Sequence, residues 1–155
     1  MSEYMRKDFF FPAVVAMIEP ETIYMDEVFT QYAFFELSNK NTIGVFDPDK
    51  QCLPEMIGKK IRISLWMLTS RFEKNNERKS DISTEKTPIL HVYGKVIEII
   101  PQADPGKEGK FFDAVVDFGV GKVSIFANLE KYEKFDIKID DFIHAYGRVD
   151  LDSIE

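Results

Sequence analysis

A strand pattern is clear in Ile143-His144-Ala145-Tyr146-Gly147-Arg148-Val149-Asp150-Leu151. Small and apolar residues alternate in it with polar or ring-bearing residues, and this period of two is typical of a strand with one face toward a core. The inward set is Ile143, Ala145, Gly147, Val149 and Leu151. His144, Tyr146 and Arg148 are therefore expected on the outward face.

Outside this strand, the second half of the 155-residue chain repeats the order of short strand-like segments in the first half. The matching pairs are Gly94–Pro101 with Ala13–Pro20, Val123–Phe126 with Ile43–Phe46, and Ile139–Ala145 with Ile57–Ile63. The offset is 80 to 82 residues in all three pairs. A near-constant offset predicts two similar halves, each with the order strand, hairpin, short connector and strand.

The remaining strands follow from apolar runs and from turn residues between them. We predict strands at Phe9–Glu19, Val28–Leu37, Thr42–Phe46, Lys60–Phe72, Leu90–Ile100, Phe112–Phe118 and Val123–Leu129. Short helical connectors are predicted: one helical turn at Lys50–Ile57, and a segment of helix or irregular coil at Glu130–Phe135. Alternation places Ile61, Ile63, Leu65 and Met67 inward, and it places Asp113 and Asp117 outward as solvated spacers.

The chain divides at a polar segment. Residues 73–87 contain one large apolar residue, Ile82, and are otherwise rich in polar and charged residues, which predicts a mobile surface loop. We therefore divide the chain into a first half (1–72), a flexible loop or linker (73–88) and a second half (89–155). One compact domain over 1–155 is the alternative.

Composition favours an all-β cytoplasmic protein. Fourteen Phe, six Tyr and one Trp, together with many Val and Ile, favour pleated half-buried surfaces. Cys52 is the sole cysteine, so no intrachain disulfide can form. Neither a secretory signal nor an apolar span of about twenty residues is predicted, and no membrane partner is expected. The net charge of −7 opposes long-range attraction to phosphate without excluding a local basic groove.

The order of segments resembles the OB-fold, a small Greek-key β-barrel with a helix between its third and fourth strands. The resemblance lies in Gly94-Lys95-Val96, in the hairpin Val115–Phe126 and in Ile139–Val149. It implies antiparallel OB-like barrels built from the two halves. No fifth strand follows Leu151, so that strand is absent, supplied by the other half or shared. Two truncated units and one larger closed barrel both stay open.

Catalytic chemistry has little support in the sequence. His91 and His144 are the only histidines, and we interpret both as ordinary surface or boundary residues. No Walker, Rossmann, zinc or hydrolase motif is present, and Cys52 lies in no nucleophile motif. We therefore predict a non-enzymatic protein without a metal or cofactor.

Aromatic rings on otherwise polar strand faces give the candidate binding site. Rings that stack on bases, beside cations that meet the phosphate backbone, are typical of single-stranded nucleic-acid binders. The predicted site residues are Trp66, Phe126 and Tyr146 for stacking and Arg62, Lys95, Lys122 and Arg148 for charge. The predicted ligand is single-stranded nucleic acid or a protein of a nucleic-acid-processing assembly. The alternative is a structural protein-interaction module, in which a homo-oligomer buries the same rings.

Overall fold

The computed structural model describes residues 9–102, 111–128 and 137–155 of the chain. These residues form nine β-strands and one short 3₁₀ turn, Pro54–Met56. The strands are β1 (Phe11–Tyr24), β2 (Glu27–Glu36), β3 (Thr42–Asp47), β4 (Lys60–Lys74), β5 (Asp81–Lys86), β6 (Ile89–Gln102), β7 (Phe111–Asp117), β8 (Lys122–Asn128) and β9 (Phe142–Ile154). The all-β prediction is confirmed.

The nine strands pair in the order β1-β2-β3-β9-β4-β8-β7-β6-β5, with further pairings β1–β4 and β9–β6. These pairings form two closed circuits of five strands each, β1-β2-β3-β9-β4 and β9-β4-β8-β7-β6. The long antiparallel β4–β9 ladder, from Ile63↔Ile154 to Lys74↔Ile143, belongs to both circuits. The last strand of each predicted half therefore also closes the circuit of the other half.

The prediction of a purely antiparallel sheet is wrong, because β3–β9 and β4–β8 are parallel pairs. The reason is geometric. A closed circuit with an odd number of strands cannot alternate direction all the way round, so it needs at least one parallel pair. Each five-stranded circuit here contains one. The sheet is mixed, and strands of both predicted halves lie in it.

The core lies on the inward faces that alternation predicted. Ile63, Leu65 and Met67 are at most 2% exposed, and Ile143, Ala145, Val149 and Leu151 are equally buried. Buried residues from β1 through β9 pack into one continuous apolar cluster. The division of the chain into two halves on either side of residues 73–88 stays a prediction.

The prediction of a mobile loop is wrong for residues 81–86, which form β5 and pair antiparallel with β6. Ile82, the one large apolar residue of that segment, is 1% exposed and anchors the strand in the core. Polar composition hid the strand because β5 lies at the end of the sheet order, where one strand edge and one face meet solvent.

Asp113 also differs from its prediction. The side chain was expected in solvent, but Asp113 is only 4% exposed. The reason is a second small apolar cluster on the outer face of this part of the sheet, formed by Phe9, Ile100 and Val115.

The strand predicted at Phe9–Glu19 also differs from its prediction, because it runs further, to Tyr24. Pro20 is tolerated there because β4 borders β1 only over Phe11–Val14, so the missing N–H of the proline breaks no ladder on that edge.

Of the two predicted helical connectors, Lys50–Ile57 contains the 3₁₀ turn Pro54–Met56. Glu130–Phe135 lies outside the described residues. The pair of connectors is thus not confirmed.

Candidate functional site

The three predicted stacking rings do not pack together as one group. Trp66 and Phe126 are half-buried neighbours on β4 and β8, with ring centroids 5.9 Å apart. Tyr146 instead lies against His91, at a centroid distance of 4.7 Å. Trp66 and Phe126 therefore contact each other, and Tyr146 contacts a histidine.

The predicted cations have carboxylate neighbours. Arg62 pairs with Glu155 at 3.7 Å and Lys95 pairs with Asp140 at 3.9 Å. Lys122 lies directly opposite Asp117 in the β7–β8 ladder. Arg62 and Lys95 flank opposite ends of β9, about 40 Å apart along a strand of that length. These side chains therefore do not combine into a basic groove.

Arg148, the fourth predicted cation, is held by Asp150. Its Nε and Nη2 donate to the two carboxylate oxygens at 2.9 and 3.0 Å. The same guanidinium lies over the ring of Phe46, 5.5 Å from the centroid. Burial raises the pKa of Asp150, and the hydrogen bonds and charge of Arg148 oppose that rise. The charge of Arg148 is thus engaged in an ion pair with Asp150 of the same strand.

A different cluster brings chemistry-bearing side chains together where β4, β5, β6 and β9 meet. In the antiparallel β6–β9 ladder, His91 lies opposite Tyr146 and Tyr93 lies opposite His144. The two histidines are consequently diagonal neighbours on one face. The Tyr93 ring stacks on that of His144, with centroids 4.4 Å apart and planes 4° from parallel.

The histidines form a chain of contacts with two carboxylates. His91 Nδ1 and His144 Nε2 share a hydrogen bond of 2.9 Å. On one side, His91 Nε2 donates to Glu85 Oε2 at 2.5 Å. On the other side, His144 Nδ1 lies 3.4 Å from Glu73 Oε1. All four ring nitrogens therefore have a partner.

An open cavity of about 360 Å³ adjoins the histidine pair. We call it the histidine cleft; it is lined by Ser70, Arg71, Glu85, His91, His144 and Tyr146. Arg71 reaches it because of a β-bulge: Thr69 lies opposite Gly147 and Arg71 opposite Tyr146, which leaves Ser70 as an extra residue in β4. Bulges commonly re-aim side chains beside functional sites.

Sequence reasoning treated the two histidines as separate surface residues and did not single out Arg71, Glu73 or Glu85. A signal for the pairing was nevertheless present. His91-Val92-Tyr93-Gly94-Lys95-Val96 and His144-Ala145-Tyr146-Gly147-Arg148-Val149 share the pattern His-x-Tyr-Gly-(Lys/Arg)-Val. Antiparallel pairing of two copies sets each histidine opposite the tyrosine of the other copy.

The cluster does not have the form of a metal centre. Within the described ranges, no three or more His, Cys, Asp or Glu side chains are grouped so that they could hold a metal ion. The absence of a cofactor stays a prediction.

Cys52 is expected to be unreactive in the folded protein. The residue is 2% exposed, and burial together with the nearby Asp47 carboxylate raises the pKa of its thiol to about 12. Only the thiolate attacks disulfide reagents, so at about pH 8 the folded chain should react at least about a hundredfold more slowly than the urea-unfolded chain. Thiol release followed by absorbance measures both rates, and native labelling within tenfold of the unfolded rate would contradict this expectation.

The raised pKa of Cys52 also makes the stability of the folded chain depend on pH. Because the pKa of Cys52 is higher in the folded chain than its ordinary value of 9.0, its contribution to stability is complete below that value. It is lost as the pH rises from about 9 through about 12. A Cys52→Ala variant should lack this alkaline loss.

Comparison with known proteins gives a likeness of fold. No protein-family model matches the chain, and no curated protein sequence matches it. One similar solved structure is that of the cytoplasmic molybdate-binding protein ModG with molybdate bound. The TM-score is 0.53 at 12% identity, over 92% of this chain and 93% of the ModG chain. An OB-like resemblance is thus supported at the level of the fold.

The predicted partner, single-stranded nucleic acid or a protein of a nucleic-acid-processing assembly, is wrong. The protein found to share this fold binds molybdate, a small anion, rather than a nucleic acid. The physical reason lies in the charges: three of the four predicted phosphate-binding cations are paired with carboxylates. No helix within the described residues is long and apolar enough to cross a membrane. A cytoplasmic location stays a prediction for this chain.

Proposed function

We propose that this protein is a non-enzymatic binding protein whose ligand is a small oxyanion held in the histidine cleft. The observation that carries the proposal is convergence: Arg71, His91 and His144 line one cavity. Guanidinium groups bind oxyanions through two parallel N–H donors.

The size of the cleft supports a small ligand. A volume of about 360 Å³ lies at the lower end of the roughly 300–1,000 Å³ typical of small-molecule sites. A tetrahedral oxyanion and its first waters fit this space, whereas several stacked nucleotides need a longer groove. The fold likeness to a molybdate-binding protein agrees with this ligand class, although fold alone does not determine function.

One positive charge at the cleft is available to an anion. Among the residues that the structure describes, Arg71 has no carboxylate within ion-pairing distance, so its charge is available to a ligand. The two acidic side chains nearby, Glu73 and Glu85, are directed at histidine nitrogens. Every histidine nitrogen has a partner, so neither ring presents a lone pair to a substrate proton. This supports binding rather than acid–base catalysis.

Calorimetric titration with sodium molybdate, sulfate and phosphate tests the proposal. We expect at least one of these anions to bind, and Arg71→Gln to weaken it about tenfold or more through loss of the forked donor. Glu85→Gln should strengthen binding severalfold, since it removes a negative charge from the cleft wall. These opposite effects identify the sign of the ligand charge.

Arg62→Gln is the matched control, because Arg62 is an exposed arginine outside the histidine cleft. It should leave the affinity unchanged. The proposal is overturned if none of the three anions binds at millimolar concentration, or if Arg71→Gln and Arg62→Gln bind equally well.

A further inference from the structure

We infer that the histidine cleft selects oxyanions with one negative charge over oxyanions of the same shape with two. The inference narrows the ligand class of the cleft and rests on the proposed function. Its basis is the number of charges: one guanidinium lines the cleft, and the other groups there that can be positive each have a carboxylate beside them. The cleft can therefore balance one negative charge of a ligand.

Each histidine of the cleft lies beside a carboxylate of its own. His91 Nε2 contacts Glu85 Oε2 at 2.5 Å. His144 Nδ1 lies 3.4 Å from Glu73 Oε1. A histidine ring carries one positive charge at most, and each ionised carboxylate carries one negative charge. These four side chains therefore contribute no net positive charge, whatever the number of protons on the two rings.

Arg71 supplies the one positive charge that remains. Within the described part of the chain, no carboxylate lies at ion-pairing distance from its guanidinium. The nearby Arg148 of β9 does not add a second charge, because Asp150 pairs with it. Ser70 and Tyr146 complete the lining with hydroxyl groups, which offer hydrogen bonds without a positive charge. The cleft and the two carboxylates beside its histidines thus carry one net positive charge at most.

A second negative charge on the ligand has no partner in the cleft. The cost of removing an ion from water rises with the square of its charge, whereas its attraction to one cation rises only in proportion to that charge. A dianion therefore costs about four times the desolvation of a monoanion of the same size and gains about twice the attraction to Arg71. Glu85, in the cleft wall, also repels the dianion more strongly. We expect the monoanion to bind more tightly.

Perrhenate and molybdate give the direct test, because both are tetrahedral ions of similar size, with one and two negative charges respectively. Calorimetric titration of the full chain at one pH and one ionic strength should show perrhenate binding about tenfold more tightly than molybdate. If molybdate binds as tightly as perrhenate, or more tightly, the inference fails while the proposed function stands. If neither ion binds at millimolar concentration, and sulfate and phosphate do not bind either, both fail.

Glu85→Gln separates the charge of the cleft from the hydration of the free ions. The Glu85 side chain is 53% exposed, so the variant should fold. It removes a repulsion that acts about twice as strongly on molybdate as on perrhenate, so the factor by which molybdate gains affinity should be about the square of the factor for perrhenate. Glu55→Gln removes an exposed carboxylate outside the cleft and should leave the ratio of the two affinities unchanged. A ratio that Glu85→Gln also leaves unchanged arises from ion hydration alone and overturns the inference.

Discussion

Replacing Asp47 with alanine is expected to lower the free energy of unfolding by about 4 kcal/mol. Asp47 ends β3 and is fully buried. Its Oδ2 accepts hydrogen bonds from Gln31 Nε2 at 2.8 Å and from the Cys52 backbone N–H at 2.9 Å, and its Oδ1 accepts one from the Gln51 N–H at 2.9 Å. Alanine leaves the Gln51 and Cys52 N–H groups without an acceptor, while Gln31 Nε2 keeps only its hydrogen bond to the Cys52 carbonyl. Each buried unpaired donor costs about 1–3 kcal/mol.

Urea unfolding followed by Trp66 fluorescence measures this loss. Asp47→Asn should be intermediate, because its amide keeps one acceptor oxygen but turns an NH₂ group toward a donor. Asp49→Ala removes an exposed carboxylate from the same turn and should change stability by no more than about 0.5 kcal/mol. The interpretation of Asp47 as the acceptor that holds this connector would be wrong if Asp47→Ala and Asp49→Ala were equally stable.

Asp47 also illustrates a limit of sequence reasoning about the fold. Asp47-Pro48-Asp49 identifies a turn, and the structure has one there. Residue type cannot tell that one aspartate of the turn faces solvent while the other accepts three hydrogen bonds in the interior. That difference depends on Gln31, which β2 brings alongside β3 from sixteen residues away.

Local patterns predicted the strands where the hydrophobic period was regular. The hairpin around Ser38–Asn41 and the inward sets of β4 and β9 are as predicted, since alternation specifies the two faces of a strand directly. Alternation carries no information about neighbours across the sheet. The two closed circuits and their parallel pairs were therefore not predicted, although the missing fifth strand indicated that a strand was absent, supplied or shared.

The candidate site was missed for the same reason. His91 and His144 are 53 residues apart in sequence and meet only through the register of β6 with β9. Glu85 lies in a segment whose polar composition predicted a loop, and Arg71 owes its position to a bulge that no residue type specifies. The repeated His-x-Tyr-Gly pattern was the one feature of the sequence that could have brought the two histidines together.

Glycine within that repeated pattern has a structural reason, and it gives the second large effect. A Cβ placed on Gly147 would overlap the backbone oxygen of Leu68 and would lie 2.9 Å from Thr69 Cα. These are backbone atoms of β4, so rotation of a side chain cannot relieve the overlap. β9 is also hydrogen-bonded to β6 at this point, opposite Leu90, and cannot shift away without breaking that ladder.

Gly147→Ala is accordingly expected to lower the free energy of unfolding by about 3 kcal/mol, at the upper end of the usual cost of overpacking. Gly44→Ala is the matched control: its Cβ would meet side-chain atoms of Thr87 and Phe34, which can move, so it should cost less than half as much. Because Gly147 lies opposite Thr69, next to the bulge that directs Arg71, any Gly147→Ala protein that stays folded should also bind anions more weakly than Gly44→Ala. Urea unfolding and anion titration of the two variants measure both effects. Equal stability of Gly147→Ala and Gly44→Ala would show that β4 and β9 do not need glycine at their closest approach.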